Sequence, residues 1–242
     1  MAKSTVEEIR RRFDNDVERF SNLETGQSAT MDAPLCMELV TVAAAMSNPA
    51  AQDLLDIGCG AGNYTLKMLQ RLPALRCTLM DLSKPMLERA QQRITAAGGV
   101  ISAAMQNDVR QSSFAAGSFD IILAAAVLHH LRGDEEWLAV FGAMYRWLRP
   151  GGSFWIFDHL RHDSPAVQTL MQQRHGEYLI NLKGGGAAGA GYRDAVFAYI
   201  EAEDTPRPLL WQVELLRRVG FVQIEILHKN GPFAAFGGRK PM

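Results

Sequence analysis

The chain has 242 residues, 48% hydrophobic and 21% charged, ordinary proportions for a globular domain that folds without disulfides or a structural metal. Its 25 basic and 26 acidic residues leave a net charge of -1, which argues against an extensive nucleic-acid-binding surface. The cysteines Cys36, Cys59 and Cys77 form no CxxC pair, so we expect no metal ligands. The sequence has neither an apolar signal peptide nor a run of ~20 apolar residues, so we expect a cytoplasmic protein without a membrane span.

An amphipathic helix is predicted over residues 4–20. Its apolar side chains recur at steps of three and four, which places them on one helical face; they are Val6, Ile9, Phe13, Val17 and Phe20. Thr5 and Glu8 have the spacing of a capping box at its start. The polar stretch 21–31 predicts a loop, and a second helix is expected over 34–46 because a proline suits its first turn.

Short apolar runs alternate with helical stretches after residue 53. The strand candidates are 54–57, 77–81, 101–106, 119–126, 153–158, 221–227 and 233–238, and helices are expected at 64–72, 85–96 and 134–148. This alternation favours a parallel sheet covered on both faces. The last two strands meet at Asn230-Gly231, a strong hairpin signal. We therefore predict an α/β fold: a Rossmann-like, doubly wound seven-stranded sheet, mostly parallel with an antiparallel final strand.

The sequence LLDIGCGAGNY carries the strongest local signal. Gly58, Gly60 and Gly62 lie between a strand and a helix, where the missing side chains let a ligand approach the backbone and the helix N-terminus favours a pyrophosphate or a carboxylate. A dinucleotide-binding loop reads G-x-G-x-x-G/A, but residue 63 is Asn63. Asp56 would repel a pyrophosphate, and it suits a ligand that carries an ammonium and a sulfonium cation.

The order D-x-G-x-G-x-G resembles the first motif of the class I S-adenosylmethionine-dependent methyltransferases. The resemblance covers about residues 53–158 and the terminal hairpin. Asp81 ends the second strand, where this family has an acid that binds the ribose hydroxyls, and Asn107-Asp108-Val109 follows the third strand, near the adenine in the family. The segments VLHHL and LRPGG are also typical, and they indicate a small-molecule, LHH-containing branch.

The resemblance implies S-adenosyl-L-methionine as cofactor and S-adenosyl-L-homocysteine as product. The residues that it implies for cofactor binding are Asp56, Gly58, Cys59, Gly60, Gly62, Asp81, Leu82, Met86, Asn107, Asp108, Val109 and Ala125.

Candidate catalytic residues come from the loops after the fourth and fifth strands. His129 and His130 follow the fourth strand, Asp158 ends the fifth, and a histidine can act as a general base near neutral pH. The candidate substrate contacts are Arg19, His159 and Tyr192. The alternative for each is structural: a packed or solvated histidine, an ordinary amphipathic helix face, or a core aromatic side chain.

The stretch between the fifth and sixth strands is longer than one crossover helix requires. It predicts helices at about 165–182, 192–203 and 206–219, the last capped by Thr205, and a mobile glycine-rich segment at 184–191. We interpret 1–242 as a single methyltransferase domain. Its parts are a helical cap (1–52), a cofactor-binding core (53–158), a helical insertion that covers the substrate (159–220) and a closing hairpin (221–242).

The resemblance predicts in-line methyl transfer to a small molecule by a monomer or homodimer. The Asn/Asp-Pro-Pro-aromatic segment of base-nitrogen methyltransferases is replaced by Ala-Ala-Ala-Val-Leu-His-His, which disfavours nucleic acid. Two alternatives stay open within the family. One is a tRNA wobble-uridine modification enzyme that uses S-adenosylmethionine or a carboxylated derivative, recognised by Arg193 or Arg207, and the other is a non-catalytic binding module. A nicotinamide-dependent oxidoreductase is a third alternative, against which Asp56 and Asn63 count.

Overall fold

The computed structural model describes residues 3–23 and 25–242, so residues 1–2 of the predicted cap and residue 24 of the predicted loop lie outside it. The strands are β1 (Asp53–Ile57), β2 (Arg76–Asp81), β3 (Val100–Gln106), β4 (Phe119–Ala125), β5 (Leu148–His159), β6 (Val222–Asn230) and β7 (Phe233–Arg239). In the described part these strands form one sheet in the order β3-β2-β1-β4-β5-β7-β6. Strands β1 to β5 pair in parallel, whereas β7 is antiparallel to both neighbours. The predicted topology is confirmed.

The helices of the described residues surround this sheet. They are α1 (Val6–Asp14), α2 (Val17–Phe20), α3 (Ala33–Ser47), α4 (Asn63–Arg71), α5 (Lys84–Ala96), α6 (Asp134–Trp147), α7 (Pro165–Leu182), α8 (Gly186–Glu203) and α9 (Leu209–Val219). Short 3-10 turns follow β3 and β4, at Val109–Gln111 and Leu128–His130. Over residues 3–23 and 25–242, no helix combines the length and apolarity that crossing a bilayer requires.

Two hydrophobic cores cover the two faces of the sheet. Leu54 on β1 belongs to the core formed with α3, α4 and α5, whereas the next residue, Leu55, belongs to the core formed with α6 and α9. Both side chains are completely buried. Because consecutive strand residues point to opposite faces, a continuous apolar run such as LLDI is required when both faces are covered. The sheet is therefore doubly wound, as expected.

A further layer of chain lies beyond the carboxyl ends of the strands. There α7 and α8 pack against the turns around residue 29, with Leu179 and Val196 buried against Ala29. Two hydrogen bonds fix this contact: the Tyr178 hydroxyl donates to the Ser28 carbonyl, and His175 Nε2 lies 2.8 Å from the Ala29 carbonyl oxygen. By contrast, α3 packs on the face of the sheet, so α3 contributes to the core although the sequence grouped it with the cap.

The predicted N-terminal helix over 4–20 is two helices. The capping box of Thr5 and Glu8 is confirmed at the start of α1. The helix ends at Asn15, where the backbone turns back to the carbonyls of Arg12 and Phe13, because asparagine and aspartate compete with helical hydrogen bonding. The break lets α2 change direction, and Phe20 packs on Phe13 with ring centroids 5.7 Å apart.

The glycine-rich segment 184–191, predicted as mobile, is mostly helical. Only its first residues form a turn, and Gly186–Gly191 opens α8. A Cβ added at Gly189 would lie 2.5 Å from the carbonyl oxygen of Ile180. The small residues let α8 approach the backbone of α7 closely. This packing favours a helix where the composition alone predicts a flexible segment.

Thr205 was expected to cap a helix over 206–219, and this prediction is wrong. The helix begins at Leu209 after Pro208. The backbone N–H of Thr205 donates instead to the His129 carbonyl at 2.7 Å, and its hydroxyl donates to the Leu131 carbonyl. The end of α8 is thereby tied to the 3-10 turn that follows β4.

Candidate active site

The loop after β1 adopts backbone conformations that favour glycine. Gly58, Gly60 and Gly62 have φ angles of +64°, +50° and +83°, in the left-handed region that side chains disfavour. A Cβ at Gly58 would lie 2.7 Å from Val127, whereas a Cβ at Gly60 would meet nothing within 4 Å. Gly60 therefore faces open space in the cleft. Gly62 packs towards Ala90 on α5, so its lack of a side chain serves the packing of helices.

Asp81 at the end of β2 is joined directly to this loop. Its carboxylate accepts hydrogen bonds from the backbone N–H groups of Gly60 and Ser83, both at 2.8 Å. Burial raises the pKa of Asp81 to about 6, against the opposing effect of these backbone donors. The adjacent loops thus present a partly buried carboxylate beside a stretch of backbone without side chains.

Asp56 lies under the glycine loop and is almost fully buried. The hydroxyl of Thr65 donates to its carboxylate at 2.6 Å. Burial raises the pKa of Asp56 to about 7, and the nearby charge of Asp81 acts in the same direction. A cation entering the cleft would stabilise the ionised form of both acids.

A single cleft at the carboxyl ends of the strands brings most predicted site residues together. Of the residues that the family resemblance implies for cofactor binding, those that line the cleft are Asp56, Gly58, Cys59, Gly60, Asp81, Leu82, Met86 and Ala125. Of the predicted catalytic and substrate-binding residues, those that line it are Arg19, His129, His130, Asp158 and His159. Tyr192 is not among its described lining residues; its ring packs near α7 under the ammonium of Lys183.

Asn107, Asp108 and Val109 line a smaller recess that shares Gly58, Asp81 and Leu82 with the main cleft. The carboxylate of Asp108 is engaged by Arg110, whose Nε and Nη2 donate to its two oxygens. The same carboxylate accepts the Arg110 backbone N–H at 2.9 Å. A ligand amino group at this position would have to share Asp108 with Arg110.

His129 lies between two buried carboxylates. Its Nδ1 is hydrogen-bonded to Asp158, and its Nε2 lies 3.6 Å from Oδ1 of Asp204. Burial alone would lower the pKa of His129, but Asp204 and Asp158 outweigh burial and raise this pKa to about 9. Asp158 is fixed in turn by the backbone N–H groups of Leu128 and His129. His129 is therefore a protonated bridge between the two acids at neutral pH.

His130 has the opposite character. Burial, together with the neighbouring charge of His129, lowers its pKa to about 3. Both ring nitrogens are inaccessible to solvent and, among the described residues, neither forms a hydrogen bond of good geometry. The ring packs edge-on against Phe13, with centroids 6.0 Å apart. At neutral pH His130 is a neutral imidazole with an available lone pair at the cleft.

Several cleft residues were missed by sequence reasoning. They are Arg12, Phe13, His175, Tyr199, Asp204 and Phe233. Asp204 contacts three histidines. Burial would raise the pKa of Asp204, but the charge of His129 and the hydrogen bond with His159 outweigh burial and lower this pKa to about 2. No local motif marks this aspartate, since its importance depends on where α8 ends relative to β4. Phe13 was assigned only to the apolar face of the first helix, and the run that includes Arg12 was interpreted as its solvated face.

Comparison with known proteins gives one matching family model, described as a methyltransferase domain, over residues 54–152. A trans-aconitate 2-methyltransferase of Azoarcus sp. (strain BH72) is 32% identical over 149 residues, which are 60% of this chain and 55% of that protein. A demethylmenaquinone methyltransferase of Lactococcus lactis is 24% identical over 187 residues, 77% of this chain and 72% of that protein. The chain spans 25%, 32% and 31% of the length of three other relatives, and 55% of the Azoarcus protein, so it covers only part of the length of these matches.

A solved structure with the same fold is that of 1,6-didemethyltoxoflavin-N1-methyltransferase from Burkholderia thailandensis, which contains 1,6-didemethyltoxoflavin and S-adenosylhomocysteine. It has a TM-score of 0.64 and 18% identity, and the match covers all of this chain and 93% of that one. Human N-acetylserotonin methyltransferase has a TM-score of 0.57 and 17% identity, with 92% of this chain and 58% of that chain covered.

Proposed function

Because this chain belongs to the class I S-adenosylmethionine-dependent methyltransferases, we propose that it transfers a methyl group from S-adenosyl-L-methionine to a small molecule. The observation that carries the proposal is the hydrogen bond between the Gly60 N–H and the Asp81 carboxylate at the floor of the cleft. This hydrogen bond links the glycine backbone that follows β1 to the carboxylate at the end of β2. This pairing is what a nucleoside with a charged amino-acid tail requires.

The residues present fit this cofactor. A side chain at Gly60 would project into the cleft rather than into protein, so the loop leaves room for a ligand against the backbone. Asp81, Leu82 and Met86 would hold the nucleoside, and Gly58 and Gly60 the amino-acid part. The buried Asp56 and the partly buried Asp81 supply the negative charge that a sulfonium and an ammonium group need.

When bound, S-adenosylmethionine would supply an activated methyl group. The acceptor atom would bond to the methyl carbon as the carbon–sulfur bond breaks, and the electron pair of that bond would stay on sulfur. This chain's residues have to hold the acceptor in line, and positioning of this kind contributes roughly 7–11 kcal/mol. His130 can accept a hydrogen bond from the acceptor at a ring nitrogen, since it is neutral and lacks a partner of good geometry in the described chain. Protonated His129, held between Asp158 and Asp204, places a positive charge beside the acceptor.

A small acceptor suits the enclosure of the cleft. The helices α1, α2 and α8 contribute Phe13, Phe20 and Tyr199 to its lining. We assign the part of the cleft lined by these rings and by His129, His130 and Asp204 to the acceptor, and call it the acceptor half. The related proteins are named for trans-aconitate and demethylmenaquinone, which are small molecules. The tRNA alternative has less support, because Arg193 bonds to Asp194 and Arg207 to Asp134, and neither arginine is among the described residues that line the cleft.

Isothermal titration of the purified chain with S-adenosylmethionine and S-adenosylhomocysteine tests cofactor binding. We expect both to bind in a one-to-one ratio. A panel of hydroxylated and carboxylated acceptors, assayed for S-adenosylhomocysteine release, then tests transfer. Failure of both ligands to bind at millimolar concentration would refute the proposal, and binding without release across the panel would favour the non-catalytic alternative.

A further inference from the structure

Three side chains in the acceptor half of the cleft have the spacing of metal ligands. One ligand atom each from His129, His130 and Asp204 can be chosen so that all three lie within 4.8 Å of one another. Oδ1 of Asp204 is 3.6 Å from both Nε2 of His129 and Nδ1 of His130. Metal–nitrogen and metal–oxygen bonds of about 2.0–2.2 Å place tetrahedral donors roughly 3.3–3.6 Å apart, so these two distances already match.

Two of these side chains form hydrogen bonds of the kind that orient metal ligands. A metal-bound histidine usually donates its other ring N–H to a carboxylate or carbonyl, and Nδ1 of His129 is hydrogen-bonded to the buried Asp158. The second oxygen of Asp204 is likewise engaged, at 3.3 Å from Nδ1 of His159. Nε2 of His129 and Oδ1 of Asp204 are therefore the atoms that remain directed at a shared point.

His130 gives an independent indication of a ligand. Its ring nitrogens are shielded from solvent and form no good hydrogen bond within the described residues, although the Glu203 backbone lies near enough to favour its protonation slightly. Leaving a buried polar group unpaired costs about 1–3 kcal/mol. A cation at Nδ1 would remove this cost.

The local charge also favours a cation. Asp158, Asp204 and Glu203 are buried acids, and Arg12 balances one of them through its ion pair with Glu203. A divalent ion bound here would compensate Asp158 and Asp204.

We propose that His129, His130 and Asp204 bind one divalent first-row transition-metal ion of the Zn²⁺, Fe²⁺ or Mn²⁺ class. Two imidazoles and one carboxylate favour these ions over Mg²⁺, which prefers an all-oxygen shell. Three protein ligands leave at least one coordination position open to the cleft, as in catalytic metal sites. The sequence assigned no metal, because it contains no CxxC pair and because Asp204 belongs to a distant helix end.

The open position indicates the class of acceptor, an inference that rests on the proposed function. A hydroxyl-bearing small molecule would bind the ion through its oxygen, releasing its proton to solvent and approaching the methyl carbon as an oxyanion. The ion would then stabilise the deprotonated acceptor. This makes O-methylation of an alcohol, phenol or enol the expected reaction.

The test uses the full chain, freed of metal by a chelator and titrated with Co²⁺, Zn²⁺ and Mg²⁺. We expect one Co²⁺ per chain, visible as ligand-field absorption bands, displacement of Co²⁺ by Zn²⁺, and no competition from Mg²⁺. The variants His130→Ala and Asp204→Asn should lose the bands, and Asp158→Asn should weaken Co²⁺ binding about 10–100-fold by releasing His129. His162→Gln, a histidine change outside the cluster, should bind Co²⁺ as the wild type does.

Absence of Co²⁺ and Zn²⁺ uptake by the wild-type chain, or bands that persist unchanged in both ligand variants, would overturn the metal site. Circular dichroism of each variant shows whether it is folded, and the wild-type result stands even if a variant is not. Parallel titration with S-adenosylhomocysteine separates the two proposals. Cofactor binding without metal uptake rejects only the metal site, whereas metal uptake without cofactor binding rejects only the methyltransferase proposal.

Discussion

The guanidinium of Arg12 forms a two-point ion pair with the carboxylate of Glu203, at 2.7 Å from Nε and 2.6 Å from Nη2. The pair joins α1 to the end of α8 and lies beside the histidine cluster. The same guanidinium stacks over the rings of Phe13 and Tyr199, 4.3 and 4.8 Å from their centroids. One side chain therefore holds together the two segments that enclose the acceptor half of the cleft.

Removing one member of this pair should destabilise the fold. Arg12→Ala leaves Glu203, whose side chain is 7% exposed, as an unpaired buried carboxylate, and we expect a loss of about 2–4 kcal/mol in the free energy of unfolding measured by urea denaturation. Arg11→Ala is the matched control: its side chain is 69% exposed, so its cost should stay below about 0.5 kcal/mol. In the double variant Arg12→Ala, Glu203→Gln the loss should be smaller than in Arg12→Ala alone, and additive losses would contradict the pairing.

Gly60→Ala should separate binding from folding. Both Gly60 and Gly117 have positive φ, and a Cβ meets nothing within 4 Å at Gly60 and nothing closer than 3.8 Å at Gly117. Alanine at either position should therefore cost a similar ~1–2 kcal/mol of backbone strain. Only at Gly60 does the new methyl group enter the cleft, so S-adenosylhomocysteine affinity should fall at least about tenfold there. Equal affinity in both variants would show that the cofactor does not contact this loop.

Asp81→Asn should weaken cofactor binding without unfolding the chain. An amide can accept only one of the two backbone hydrogen bonds from Gly60 and Ser83, and it lacks the charge that strengthens contacts to ribose hydroxyls. The loss of charged hydrogen bonds predicts roughly 10–100-fold lower affinity for S-adenosylhomocysteine by calorimetry. Asp194→Asn is the control, since Asp194 is exposed and pairs with Arg193 on the surface. A wild-type affinity in Asp81→Asn would contradict the assigned role.

The stability of the protein should decline as the pH rises from about 6.5 towards 9. The pKa of His129 is raised from 6.5 to about 9 in the fold by Asp204 and Asp158, against burial and the charge of Arg12. A raised folded pKa contributes stability that is complete below pH 6.5 and is lost as the pH passes the folded value. Urea denaturation of the metal-free protein across this range should show the decline in wild type and a smaller one in His129→Gln.

His162→Gln serves as the control for this pH dependence. The pKa of His162 is lowered by burial, so above about pH 7.5 this histidine is mostly neutral in both folded and unfolded chains and contributes little to the slope there. A decline of the same size in wild type and His129→Gln would assign the effect to other groups. The difference between each variant and wild type removes the contributions that all the proteins share.

Much of the fold could be read from local sequence patterns. The run LLDI and the glycines after it identified β1 and its loop, and Asn230-Gly231 identified the hairpin of β6 and β7, because each signal lies within a few consecutive residues. Asp81 was assigned to a strand end by the same means, and the structure places it beside Gly60. These features depend on backbone conformation and side-chain alternation, which a short segment determines by itself.

Predictions failed where packing between distant segments decides the outcome. Most of the glycines of 184–191 are helical residues of α8, because α7 packs against them. Thr205 does not cap a helix, and its hydroxyl donates a hydrogen bond to the turn after β4 instead. Tyr192 was placed in the substrate site on the strength of its residue type, but its ring packs at the α7–α8 contact. In each case the competing contact comes from a part of the chain that the local pattern does not contain.

The sequence by itself determined the order of strands and helices, the glycine loop and the acids that follow the first two strands, since hydrophobic periodicity and turn chemistry act over short distances along the chain. Only the tertiary structure decided that Asp204 meets His129 and His130, and that Arg12 closes over them. Those contacts arise when α1 and the end of α8 converge beyond the sheet. Where α1 and α8 meet depends on how complete helices pack against the sheet and against each other. The free energy of that packing depends on contacts between distant segments, so no single segment determines it.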